Sequence, residues 1–407
     1  MKTLIKMAFR DLGRNRRRSL FSMLALGMGL ALLLLIASIY EGQMRLSLDT
    51  AIRLQTGHLQ VRAANYNENK TSLAWEDLVA DPQLVASQVA SLPAVELATP
   101  RLYASGILSL GEKTNGVRVI GIDPDSTANQ PFRLGLVSGE FITAEDRQGL
   151  LLGQPLADKL QVEVGDQVNL LVNTASGEVD EQNFTVRGIY DTHTPGYDRS
   201  TVFLPLAKAQ AITQSENHAS IIFILLKDRD LTGAVVNALS SSPYQVVTWE
   251  KMNELVLQTE EFSNAFLYVL YLIVLGITAT VIVNTLVMAV FERTREIGIL
   301  SAVGMKSNHI MAMFFIESSM LAIGGIIIGL ILGGLMAWYA KTVGFYIGDM
   351  GVTGMLYGDR LYGHLVFEDI ASASLVAFII TLVASLYPAI LAARMEPVEA
   401  LHGGKQL

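Results

Sequence analysis

Four stretches of this chain carry no Asp, Glu, Lys or Arg: Ser19–Tyr40, Phe262–Phe291, Ser318–Ala340 and Ile370–Ala393, of 22, 30, 23 and 24 residues. A helix needs about 20 apolar residues to cross the hydrocarbon core of a bilayer. Each stretch is long enough, and none shows the polar stripe of a long soluble helix. The sequence therefore predicts four transmembrane helices, at 19–40, 262–291, 311–340 and 370–393. The overall charged fraction of 17% conceals this division. Outside the four windows it is close to the roughly 25% of a soluble domain.

The first window resembles the core of a signal peptide, because seven basic residues precede it. It is too long for that role, and no small-x-small cleavage site follows, so it reads as a retained anchor. Residues 1–18 carry those seven bases and a single acid, Asp11. That bias predicts a cytoplasmic N-terminus. Four crossings return the C-terminal tail 394–407 to the same side. The segment 292–310 is then cytoplasmic, and 41–261 and the loop 341–369 lie outside. The 221 residues of 41–261 hold 16 basic and 28 acidic side chains.

That outer segment reads as α+β. Strand patterns occur at His58–Arg62, Leu102–Leu110, Val117–Ile122, Val168–Asn173, Asn183–Tyr190, Ser220–Leu226 and Gln245–Thr248. Leu102–Leu110 and Val117–Ile122 flank a Gly-Glu-Lys-Thr-Asn-Gly turn. Residues 131–215 suggest an inserted β-rich subdomain. Helices are expected from Pro82 to about Leu92, with Asp81 as N-cap, and over Asp230–Leu239. Glu41–Gln55 and Trp249–Glu261 remain helix-compatible, so both flanking membrane helices are expected to extend outward as stalks.

Negative net charge (−8) argues against nucleic-acid binding. With no cysteine there is no disulfide framework or thiolate metal site. No Walker-type loop, H-E-x-x-H or G-x-S-x-G is present. The chain is not expected to be catalytic, and no metal site is expected. Asn69-Lys-Thr71 and Asn183-Phe-Thr185 match glycosylation sequons, which arise often by chance. Glu317 is an acid within the third membrane helix, where a functional role is the default expectation; two turns from the end, a packing role is the stronger reading. The run Gly324-Gly325…Gly329…Gly333-Gly334 has the spacing of close helix packing.

The most informative stretch is Phe291-Glu-Arg-Thr-Arg-Glu-Ile-Gly-Ile-Leu-Ser-Ala-Val-Gly-Met305. It is short, amphipathic and held between two membrane helices, with Ile297, Leu300 and Val303 at helical spacing. It resembles the coupling segment of FtsX/MacB-type ABC permeases, roughly E-R-x-R-E-I-[GA]-x-[LM]-[RKS]-[AS]-[IVL]-G. The tail Ala393-Arg-Met-Glu-Pro-Val-Glu-Ala-Leu401 is similar to the family's ending. Gly121-Ile-Asp-Pro124 and Leu152–Asp166 resemble its periplasmic core, so the likeness covers nearly the whole chain. It is nearest to the lipoprotein-release (LolC/LolE-type) branch.

The resemblance implies a four-helix transmembrane ABC permease, type VII-like, with a large α+β extracytoplasmic domain between helices 1 and 2. It implies residence in a bacterial inner membrane and a separate ABC ATPase that binds the ATP and Mg. Only 18 residues precede the first membrane helix, too few for a fused ATPase. A second permease, identical or paralogous, and a periplasmic lipoprotein carrier or adaptor are the other implied partners. The coupling residues would be Glu292, Arg293, Arg295, Glu296, Ile297, Gly298, Leu300 and Gly304. For a lipoprotein cargo, Met44, Leu48, Ile52, Phe262, Phe266 and Val269 are the candidate acyl slot, with stalk-to-stalk packing as the competing reading. MacB-like export through an adaptor, and FtsX-like activation of a cell-wall hydrolase, are the alternative functions.

Overall fold

The computed structural model describes residues 2–67, 73–346 and 360–395. The chain divides into a membrane unit (Met1–Met44, Glu260–Phe345 and Leu361–Leu407) and an outer unit (Arg45–Thr259 with Tyr346–Arg360). The sequon at Asn69 and the tail beyond Met395 lie outside the described residues.

Two helices open the chain, α1 (Lys2–Arg14) and α2 (Arg16–Ala51). A single π turn, Ile52–Thr56, ends α2 at Gly57. The outer unit follows with strands β1 (Leu59–Arg62), β2 (Val79–Ala80), β3 (Val95–Leu110), β4 (Lys113–Ile122), β5 (Leu136–Gly139) and β6 (Gly149–Gly153). It continues with β7 (Gln167–Asn173), β8 (Val179–Tyr190), β9 (Thr201–Pro205), β10 (His218–Ala219), β11 (Ile221–Leu226) and β12 (Gln245–Thr248). Its helices are α3 (Pro82–Ala90), α4 (Gln130–Leu134), α5 (Gln154–Leu160), α6 (Pro195–Asp198), α7 (Leu206–Ile212), α8 (Thr232–Ala238) and α9 (Trp249–Met252). The chain then enters α10 (Glu254–Glu292), α11 (Thr294–Ala302), α12 (Ser307–Thr342) and α13 (Phe367–Ala393).

One ten-stranded sheet organises the outer unit, in the order β12-β1-β11-β3-β4-β9-β6-β8-β5, with β7 bridging β3 and β8. Its inward-facing aliphatic residues, such as Leu102, Val119, Leu152, Leu170 and Val202, build the main core. Leu59, Val61, Ile222 and Ile224 pack with α3 and α8 in a second core. The stretch 131–215 supplies β5 to β9 to this same sheet, and no break in the sheet sets it apart. Its β9 pairs in parallel with β4, and its β7 antiparallel with β3. The reason lies in β3 and β4, which are long enough to serve both halves.

Those two strands also correct the expected six-residue turn. They pair as far as Leu110↔Lys113, leaving only Gly111 and Glu112 between them. Gly111 supplies the positive φ of +59° that a two-residue hairpin demands. Lys113-Thr-Asn-Gly116 belongs to the strand. Asp81 does precede α3, but its side chain does not cap that helix; its carboxylate accepts from the Asn217 amide.

Among the described residues, four helical stretches are long and apolar enough to cross a membrane: Arg16–Thr56, Glu254–Glu292, Ser307–Thr342 and Phe367–Ala393. The four charge-free sequence windows fall within them. Gly325, Gly329 and Gly333 of α12 lie against Leu26, Leu30, Ala31 and Leu34 of α2. Small residues there let the two backbones approach, which is how helices associate where hydrocarbon surrounds both.

Within the outer unit, the end of α2 is held by side chains. The last carbonyls of a helix lack intrahelical partners. Arg101 Nη1 donates to Leu54 O at 2.9 Å, Tyr103 Oη to Gln55 O at 3.4 Å and Gln60 Nε2 to Thr56 O at 2.8 Å. A guanidinium at this end also complements the helix dipole. Arg101 is 1% exposed and lies 3.7 Å over the Phe223 ring. Leu54 joins an aromatic core of Phe132, Tyr190, Tyr197 and Phe203.

Asp198, at the end of α6, is buried in the same region. Burial pushes its carboxyl up to about 7, although Thr192 N–H and Oγ1 donate to it at 2.9 and 2.7 Å. A carboxyl whose pKa is raised on folding binds its proton more tightly in the native state. Its contribution to stability is therefore greatest near pH 4 and falls as pH rises to 7. The wild-type unfolding midpoint is expected to lose ground to that of Asp198→Asn over this interval. Parallel pH profiles for the two proteins would contradict the assignment.

Candidate coupling site

The segment Glu292–Met305 forms a short helix with two unlike sides. Arg293 leaves the helical conformation (φ −108°, ψ 12°) and caps α11. The helix ends at Gly304, whose φ of +98° puts it in the left-handed region. Gly304 N–H bonds Ser301 O at 3.0 Å and Met305 N–H bonds Leu300 O at 3.0 Å. This paired closure is the Schellman motif, and it favours glycine at that position.

The inner side is fixed to the membrane unit. Ile297 is 1% exposed and packs with Val290, Ile310, Met313, Phe314 and Ala389. Gly298 is buried beside it and Leu300 is half-buried. Arg293 was expected among the partner-facing residues, but it is only 2% exposed. Its Nη1 lies 3.0 Å from Asp11 of α1 and 3.4 Å from Glu317 of α12. Glu317 therefore has a structural partner. An acid at this depth needs a compensating charge, and Arg293 supplies it to two acids together.

Two other expected coupling residues grip the N-terminal helices. Glu296 accepts from Arg14 at 2.8 Å, and Glu292 accepts from Arg18 at 2.7 Å and from Asn15 at 3.2 Å. These pairs are exposed, so each is worth only about 0–1 kcal/mol. Their consequence is positional: together with the Arg293–Asp11 pair, they tie α1 and the start of α2 to the joint between α10 and α11.

The outer side remains exposed. It consists of Arg295, Ile299, Ala302, Val303 and Lys306, with Val303 83% exposed. The expected single face of Ile297, Leu300 and Val303 is thereby corrected. Val303 is the last residue before the left-handed turn and points away from the side that buries Ile297.

The candidate acyl-slot residues fall in both units. In the membrane unit Met44 is half-buried, while Phe262, Phe266 and Val269 are 77%, 58% and 51% exposed on α10. In the outer unit Leu48 is half-buried. Ile52 is 4% exposed, which removes it from any open surface.

Residues 19–242 match the MacB-like periplasmic core domain, and residues 268–397 match the FtsX-like permease C-terminal family. The chain is 24% identical over 396 residues to the lipoprotein-releasing system transmembrane protein LolE of Haemophilus influenzae, covering 94% of this chain and 93% of that protein. It is 24% identical over 406 residues to LolC of Xylella fastidiosa, with the same two coverages. It is 21% identical to the macrolide export ATP-binding/permease protein MacB of Shewanella sp., covering 98% of this chain and 60% of that protein. The crystal structure of the periplasmic region of MacB from Actinobacillus actinomycetemcomitans is 16% identical, covers 50% of this chain and 95% of that structure, and superposes with a TM-score of 0.33. With a periplasmic-core match across its outer unit and a permease match across its last three membrane helices, the chain belongs to the FtsX/MacB-type ABC transporter permeases, near the Lol branch.

Proposed function

We propose that this permease transmits ATP hydrolysis by a separate ATPase to its outer unit, and that its cargo is lipoprotein released from the inner membrane. The observation that carries the coupling role is the two-sided α11. Its inner side is held by Ile297 and Arg293, while Arg295, Ile299, Ala302 and Val303 remain free for a partner. A helix so anchored cannot be displaced without moving α1, α10 and α12. Cytoplasmic termini, a periplasmic outer unit and a second permease against α10 complete this reading. Exposed Phe262, Phe266 and Val269 support the last point, because α10 leaves large apolar side chains uncovered. The lipoprotein cargo rests on LolE and LolC, which match over the length of this chain.

Substituting the outer side tests coupling without disturbing the anchor. Val303→Asp is expected to lower permease-stimulated ATPase activity at least about tenfold, the effect of losing a central apolar contact in an interface. The unfolding midpoint of the permease should stay unchanged. Wild-type stimulation in both Val303→Asp and Ile299→Asp would remove α11 as the docking element. For the cargo, a photoreactive residue at Phe262 or Met44 should capture lipoprotein acyl chains; capture of a second permease alone would favour helix packing at that surface.

A further inference from the structure

The membrane unit contains a trough of about 580 Å³ between α1, the start of α2 and α12. Phe9 and Leu12 form one wall, Ile323 and Ile327 the other, with Met23 between them and Arg16 at the rim. The lining is almost wholly apolar, and the space beside Gly13 is open. A concave apolar surface with one charged group at its edge suits a ligand with an apolar body and a charged head.

The charge around the trough favours one sign of head. Among residues 1–18, Asp11 is the single acid, and Arg293 neutralises it. Arg14 and Arg18 are engaged by Glu296 and Glu292. Lys6, Arg10, Arg16 and Arg17 are exposed, and none forms a salt bridge among the described residues. Arg16 Nε donates to Gly13 O at 3.1 Å. That bond holds the guanidinium at the rim and leaves its terminal nitrogens available.

We propose that the trough binds one anionic phospholipid from the leaflet in which α1 lies. An acyl chain fills the space between Phe9 and Ile323, and Arg16 holds the phosphate with help from the neighbouring bases. The bound lipid braces α1 against α12. Because α1 carries Asp11 and Arg14 to α11, the anionic lipid content of the membrane then bears on the geometry of that helix. This site does not depend on the cargo or on ATPase docking.

The test is native mass spectrometry of the full-length permease with phosphatidylglycerol or phosphatidylcholine of identical acyl chains. The wild type should retain one phosphatidylglycerol after bulk lipid is stripped. It should retain phosphatidylcholine at least about fivefold less, the discrimination that one basic contact near a membrane provides. Arg16→Gln should reduce the headgroup preference, and Ile323→Trp, which fills the trough, should cut retention of both lipids. Arg16→Gln alters only an exposed side chain, so it remains decisive if the tryptophan variant fails to fold. Equal retention of the two lipids by the wild type, or undiminished selectivity in Arg16→Gln, overturns the proposal. So does crosslinking of Ile323→Cys to a second permease in membranes, a clean readout because the chain has no other cysteine.

Discussion

Arg293→Ala is expected to destabilise the membrane unit by about 3–5 kcal/mol, the cost of removing one member of a buried ionic group. The side chain is 2% exposed and meets Asp11 at 3.0 Å and Glu317 at 3.4 Å. Its loss leaves two acids facing each other without a cation. Asp11 belongs to α1 and Glu317 to α12, so α1 should detach from the bundle. The unfolding midpoint of the purified permease should fall, and limited proteolysis should cut near Asn15, where α1 ends. Adding Glu317→Gln to Arg293→Ala should recover part of the loss, because one uncompensated charge disappears. If Arg293→Ala melts as the wild type does and resists cleavage, the ionic group has no anchoring role.

The second large effect is expected at Arg101. Truncation to alanine removes a large buried side chain, at a cost of about 3–5 kcal/mol. It also deprives the Leu54 carbonyl of its 2.9 Å donor. Arg101→Met separates these contributions, since methionine refills much of the space but cannot donate. Its cost should be nearer 1 kcal/mol, that of one hydrogen bond. Amide exchange should rise at Ile52–Gly57 in both variants, and across the strands around Arg101 only in the alanine form. Unchanged exchange at Ile52–Gly57 would dissociate Arg101 from the end of α2.

The sequence made the membrane helices legible because charge exclusion is a local and strong signal. β1, β7, β11 and β12 were nearly as plain, whereas β8 begins at Val179, ahead of the expected Asn183, and β3 and β4 meet where the sequence suggests a longer turn. There a polar Lys-Thr-Asn-Gly run resembled a loop, and its pairing partners in Leu102–Leu110 decided otherwise. The coupling segment stood out by its motif, but its two sides did not. Arg293 and Arg295 are chemically alike and two residues apart. Only the break of the helix at Arg293, together with acids arriving from α1 and α12, separates the inner residue from the outer. A signal did exist: Asp11 is a single acid among seven bases, and Glu317 is an acid in an apolar helix. Each implied a buried cation. Arg101 left no comparable trace, because the carbonyls it serves are backbone atoms that any sequence would provide.

The strand that begins the outer unit, β1, lies hydrogen-bonded beside the strand that ends it, β12, with Leu59 opposite Thr248. Neighbouring strands stand about 4.8 Å apart. The intervening chain thus forms a closed excursion whose two ends nearly touch. Such a module can be exchanged for another, or shortened to a tight hairpin, without asking the flanking helices to change their separation. Transplanting Leu59–Thr248 between related permeases is accordingly a natural way to give one membrane engine a different outer tool.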